Sequence, residues 1–265
     1  MTKFIEKHPI AYGVIFGYGL SLLFIFFEFF LMATGLSDCG VWVDSAIRVV
    51  FAVIALILLK IFCKDRFKNL FTRKITAKTW LLCIPILIYF AVEFMCFSVA
   101  KATTMQYAVP FIAVVVQQLA TGLWEETASR GLLMCGMLDK WKGSVRGRIC
   151  MVLISGVLFG TLHTFGVLFG SSLESSLWST LYSATWGMFL AAIYLYSGSL
   201  LFCMAIHAIW DIIIRIPNYF CTGLNDGIIL TGIYAAEDII QLVILPVLAI
   251  VICVRYNEST GETAR

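Results

Sequence analysis

Residues 117–137 read QQLATGLWEETASRGLLMCGM and place two adjacent glutamates and an arginine inside a run that is otherwise apolar enough to cross a bilayer. A charged side chain at the centre of a spanning helix costs about 2.5–3.5 kcal/mol on insertion scales, so Glu125, Glu126 and Arg130 together forgo on the order of 8 kcal/mol. A whole domain is stable by only about 5–15 kcal/mol, so the cluster requires compensating partners. Glu126 and Arg130 are four apart, the separation at which an acid and a following base share one side of a helix. Glu125 projects about 100° away around the axis and calls for a group from another helix. It is either a structural hydrogen-bonding group between helices or a functional intramembrane carboxylate.

The rest of the chain shares this apolar character. Of 265 residues, 61% are hydrophobic and 13% charged, with a mean hydropathy of +0.94, far from the ~25% charge of a soluble domain. The expected class is an all-α, polytopic membrane protein in a lipid bilayer. The net charge of +3 is concentrated in two loops and so bears on topology and not on nucleic acid. Nine cysteines, an odd number without a CxxC, lie mostly in apolar runs. They read as small buried hydrophobes and not as a disulfide framework or a thiolate metal site.

At about 20 apolar residues per crossing, the sequence divides into about eight transmembrane helices, near 10–34, 43–63, 80–99, 108–137, 149–170, 176–196, 199–216 and 234–255. One transmembrane domain over 1–265 suffices, with its motif-bearing core at 117–215. The first run is too long for a signal-peptide core of about 7–15 residues and reads as a retained span. Lys64, Arg66, Lys68, Arg73, Lys74 and Lys78 lie in the second-to-third loop, and Lys140, Lys142, Arg146 and Arg148 in the fourth-to-fifth. Both loops should be cytoplasmic. The alternate connections carry Asp38 and Asp44, Lys101, Glu174 and Asp226, and the leader carries Lys3 and Lys7, so both termini are expected on the cytoplasmic side.

Further ionisable groups fall inside spans. Glu28, flanked by phenylalanines, and Glu93 either line a shared cavity or lie near an interface. FGTLH places Phe159 and His163 on one helical face, and HAIWD does the same for His207 and Asp211. At ~1.5 Å per residue, Glu125 lies about 18 Å from the cytoplasmic end of its span, His163 about 21 Å and His207 about 12 Å. These depths are compatible with one site.

Amide hydrolysis needs a base for water, a partner that orients it, and stabilisation of the tetrahedral oxyanion. A carboxylate, two imidazoles and a further acid contain those parts. The set also matches the ligand count of a catalytic zinc. Glu125, His163 and His207 are the candidate ligands if a divalent metal such as Zn is present, although HExxH is absent.

EETASRG, FGTLH and HAIWD, in this order and on these spans, resemble the three motifs of the CPBP family, the CAAX proteases and bacteriocin-processing enzymes also called the Abi family. The resemblance implies an intramembrane endopeptidase in which Glu125 and His163 activate water. It further implies that His207 and Asp211 stabilise the oxyanion and that Glu126, Arg130 and Phe159 shape the site. Prenyl-processing members often carry Asn at the last position of the third motif; Asp211 is an acceptor unless protonated, and instead orients His207 or binds a cation. The implied partner is a peptide or a membrane-protein tail, and the family resemblance leaves both a metal-dependent and a glutamate-dependent mechanism open. The short chain is similar to bacterial members, which gives a multi-pass bacterial cell-membrane protein acting in processing or immunity. The alternatives are a non-catalytic scaffold or bacteriocin self-immunity protein, and an ion or proton transporter. The sequence names no oligomeric state.

Overall fold

The structure is a computed structural model and describes residues 3–36, 40–99, 108–215, 235 and 238–256. Among these the chain is helical, with no strand. After a short leader helix α1 (Lys3–Lys7), α2 (Pro9–Ala33) begins with a proline in its first turn, where the missing N–H has no helical acceptor to lose. Then come α3 (Val41–Phe62), α4 (Lys64–Thr72), α5 (Ala77–Leu82) and α6 (Ile84–Val99). Helix α7 runs over 108–141 and is interrupted by a π-helical segment, Thr127–Leu132. Helix α8 (Val145–Phe169) ends in a 3-10 turn, followed by α9 (Leu173–Ser197), α10 (Leu200–Ile213) and α11 (Ile239–Arg255).

Each of the eight expected stretches overlaps a helix, but by length and composition only α2, α3 and α8 are apolar enough to cross a membrane alone, with α10 and α11 as shorter apolar helices. The difference has a local cause. Glu125, Glu126 and Arg130 interrupt the apolar run of α7, serines, threonines and Glu174 dilute that of α9, and α6 has 16 residues. Asp38, Lys101 and Asp226 lie outside the described residues, as does the side chain of Glu93.

Helix α8 packs along α9, and α7 is flanked by α3 and α10. Small residues allow the α8–α9 approach, as is usual where helices meet in lipid. A Cβ built on Gly156 would stand 2.7 Å from the Ala184 carbonyl oxygen, and one on Gly160 would stand 2.5 Å from that of Thr180. This notch fixes Phe159 and His163 against the site-bearing part of α9. Gly198, at φ +63°, then ends α9 in the left-handed conformation. Ser199 caps α10 by accepting from the Phe202 N–H at 3.2 Å. The tight turn folds α10 back toward α7.

The cysteines depart from the sequence reading. Cys63, at the end of α3, forms a disulfide with Cys135 in α7, 72 residues away, with their Cα atoms 6.7 Å apart. Cys83, Cys150, Cys203 and Cys253 are free, and three of these are buried, as the reading expects. Pairing between residues this far apart depends on how α3 and α7 pack, which spacing along the chain does not encode.

Candidate functional site

The motif residues of α7 leave the helix in different directions. Glu126 is fully buried and faces inward, where its Oε1 lies 3.0 Å from Arg130 Nη1, the ion pair expected from the four-residue spacing. The π segment begins immediately after Glu126, so this part of α7 is wider than the regular α-helix the spacing suggests; such insertions are frequent at functional sites. Arg130 also donates from Nη2 to the Gly187 carbonyl at 3.1 Å and lies over the Phe159 ring at 4.7 Å. Its charge is therefore enclosed among α7, α8 and α9.

His207 enters from α10 and contacts both glutamates. Its Nδ1 is 2.7 Å from Glu126 Oε1, and its Nε2 is 3.7 Å from Glu125 Oε2. A carboxylate only accepts, so the short contact places the proton on Nδ1 and turns Nε2 toward Glu125. Asp211, one turn further along α10, has its Oδ2 3.8 Å from the same Nε2. Glu126 Oε2 has no hydrogen-bond partner among the described residues, so Oε1 alone serves both Arg130 and His207.

His163 closes the set from α8. Its Nδ1 lies 3.3 Å from the Phe159 carbonyl, which fixes the proton on Nδ1 and leaves Nε2 as an acceptor. Phe159 meets both imidazoles edge-on, with ring centroids 5.1 Å from His163 and 5.8 Å from His207. Behind His207, Trp186 stacks on Trp210 at 4.3 Å, and Trp210 stacks on Tyr89 at 4.4 Å. This column limits how far the His207 ring can turn.

Glu125, His163, His207 and Asp211 all line one cavity of about 380 Å³, together with Phe159. Glu126 and Arg130 do not line it. The Glu125 side chain is 22% exposed and that of Asp211 15%, against 0% for Glu126. The adjacent glutamates thus occupy different environments, one wet and one sealed. The candidate metal ligands do not form a metal cage: no group of three His, Cys, Asp or Glu side chains suited to holding a metal ion occurs among the described residues.

Sequence reasoning passed over Arg48 and assigned Asp44 to a connection. Asp44 lies in the first turn of α3 and pairs with Arg48 at 3.1 Å; Arg48 also pairs with Glu28 of α2 at 3.1 Å. Gln117, in the first third of α7, donates to Asp44. Glu28 does not line the 380 Å³ cavity itself; it lines two chambers that adjoin it and that share Arg48 with it. An arginine inside an apolar span, four residues after an aspartate, was the available signal.

These features define a class: an α-helical membrane protein whose helices enclose a polar cavity walled by a carboxylate, two imidazoles and a further acid. Residues 107–213, less than half of the chain, match the family model described as type II CAAX prenyl endopeptidase, Rce1-like. Over this segment the chain is similar to that family, which is consistent with the CPBP resemblance of its three motifs. No curated protein matches the chain. No solved structure matches it either.

Proposed function

We propose that the protein is an intramembrane endopeptidase that hydrolyses a peptide bond in a membrane-associated peptide or protein tail. The observation that carries this reading is the 3.7 Å separation of Glu125 Oε2 and His207 Nε2 on the wall of a cavity that His163 also lines. A polar gap of this length suits a bridging water. In the proposed reaction Glu125 removes a proton from that water while its oxygen bonds to the scissile carbonyl carbon. His163, with Nε2 free to accept, orients the water. His207, as an imidazolium held at Nδ1 by Glu126, donates from Nε2 to the oxyanion. Collapse breaks the C–N bond, and Glu125 returns its proton to the leaving amine. Asp211, an acceptor while ionised, orients His207 and balances its charge.

The finer topology belongs to the same proposal: eight crossings, both termini cytoplasmic, a single transmembrane domain and a bacterial cell membrane. The orientation is supported by the lysines and arginines clustered between the end of α3 and the start of α5 and around the α7–α8 turn, most of which the structure places in helices.

The test is cleavage of a peptide library by purified protein in lipid nanodiscs, read by mass spectrometry. Wild type cleaves, while folded Glu125→Gln and His163→Ala proteins do not. Undiminished turnover in both variants removes the proposed base. Ion or proton flux in proteoliposomes without cleavage transfers the assignment to a transporter.

A further inference from the structure

Oxyanion and substrate oxygens need donors; in the proposed reaction His207 Nε2 serves the oxyanion, and the nearby arginines differ in how they are held. Arg130 is fully buried, bound to Glu126 and the Gly187 carbonyl, and does not line the cavity. Arg215, at the end of α10, donates to the Asp211 carbonyl at 3.2 Å. Asp211 accepts at a position where an amide would donate.

Arg48 is different. Its side chain is 17% exposed and belongs to the wall of the 380 Å³ cavity and of two adjoining chambers, of about 250 and 470 Å³. Asp44 grips one edge of the guanidinium, with Oδ2 accepting from Nε at 3.1 Å and Oδ1 3.1 Å from Nη2. Glu28 Oε1 reaches the same Nη2 at 3.1 Å, and the Phe24 ring supports the group at 5.1 Å. Gln117 ties this clamp to α7, eight residues before Glu125. Groups from three helices thus set the plane of the guanidinium, and among the described residues Nη1 makes no ion pair or hydrogen bond. A donor held in place beforehand loses little entropy when it binds.

We propose that Arg48 is a substrate-binding residue of this cavity, a pre-oriented guanidinium that donates to a main-chain carbonyl oxygen of the bound peptide. The proposal rests on the protease reading. Charge selects the ligand: Asp44 already neutralises the guanidinium and the Glu28 carboxyl lies against the same nitrogen, so a further carboxylate gains little there while a neutral carbonyl dipole is accepted. The arrangement therefore recognises the peptide backbone and not a free C-terminal carboxylate.

The experiment compares wild type, Arg48→Ala and Arg48→Lys in nanodiscs on one cleavable peptide, made as the free acid and as the C-terminal amide, with and without methylguanidinium. A charged hydrogen bond is worth about 1.5–3 kcal/mol, so Arg48→Ala should lower kcat/KM roughly 10–100-fold, chiefly through KM. Methylguanidinium should restore part of the loss, Arg48→Lys should remain impaired, and acid and amide should behave alike. Wild-type kinetics in a folded Arg48→Lys or Arg48→Ala protein overturns the proposal. So does a preference for the acid that disappears in either variant, or a loss that methylguanidinium does not relieve. If neither variant folds, Arg48 is a structural ion pair and the proposal fails. A wild type that cleaves no peptide overturns the protease reading, which is a distinct result.

Discussion

Glu126 Oε1 lies 2.7 Å from His207 Nδ1, so the second glutamate of the pair, and not the first, fixes the tautomer of the imidazole that faces the cavity. The two glutamates consequently differ in environment, Glu125 lining the cavity and Glu126 sealed behind it.

Substituting the two glutamates should give different failures. Glu125→Gln should lower turnover by about 10²–10⁴-fold, the usual contribution of a general base, with little change in thermal midpoint. Glu126→Ala leaves Arg130 uncompensated at zero exposure and should destabilise the fold by roughly 3–5 kcal/mol. Peptide cleavage and thermal unfolding measured on the same preparations distinguish them. Equal midpoints would contradict the separation.

Phe159 touches Arg130, His163 and His207 with one ring. Phe159→Ala should destabilise by about 3–5 kcal/mol, as truncation of a buried aromatic does. Phe159→Leu should keep more of the fold while losing activity, because it fills space without presenting a ring face to the guanidinium. Melting curves and kcat of the two variants check this.

Chelation should leave cleavage intact. Among the described residues no three His, Cys, Asp or Glu side chains form a group suited to holding a metal ion, and the proposed reaction uses Glu125 and His163 directly on water. Protein stripped of metal to below one atom per ten molecules, by elemental analysis, should retain its activity. Loss on stripping with recovery on adding zinc would refute the metal-free reaction.

The disulfide gives a measurement independent of activity. Non-reducing mass spectrometry should recover the peptides of Cys63 and Cys135 linked, while Cys83, Cys150, Cys203 and Cys253 remain as thiols. Cys63→Ala should lower stability by about 2–4 kcal/mol under oxidising conditions and by much less in reductant. A non-reduced sample in which both cysteines alkylate freely would show that the bond does not form.

The sequence alone determined what is local. Charges inside apolar runs marked the site, and four-residue spacing paired Glu126 with Arg130, Asp211 with His207 and His163 with Phe159, because a helix brings i and i+4 together wherever it lies. Three motifs in order supplied the family resemblance that the match over 107–213 bears out. Only the tertiary structure decided which glutamate His207 would touch, that Glu28 would share Arg48 with Asp44, that Cys63 would meet Cys135, and that the helix between Glu126 and Leu133 would widen into a π segment. Each depends on the rotation and approach of one helix against another. For His207 and Glu126 that approach is fixed where Gly122 of α7 lies so close to α10 that a Cβ there would stand 2.7 Å from the Met204 carbonyl oxygen, and not by any period in the chain that carries the paired residues.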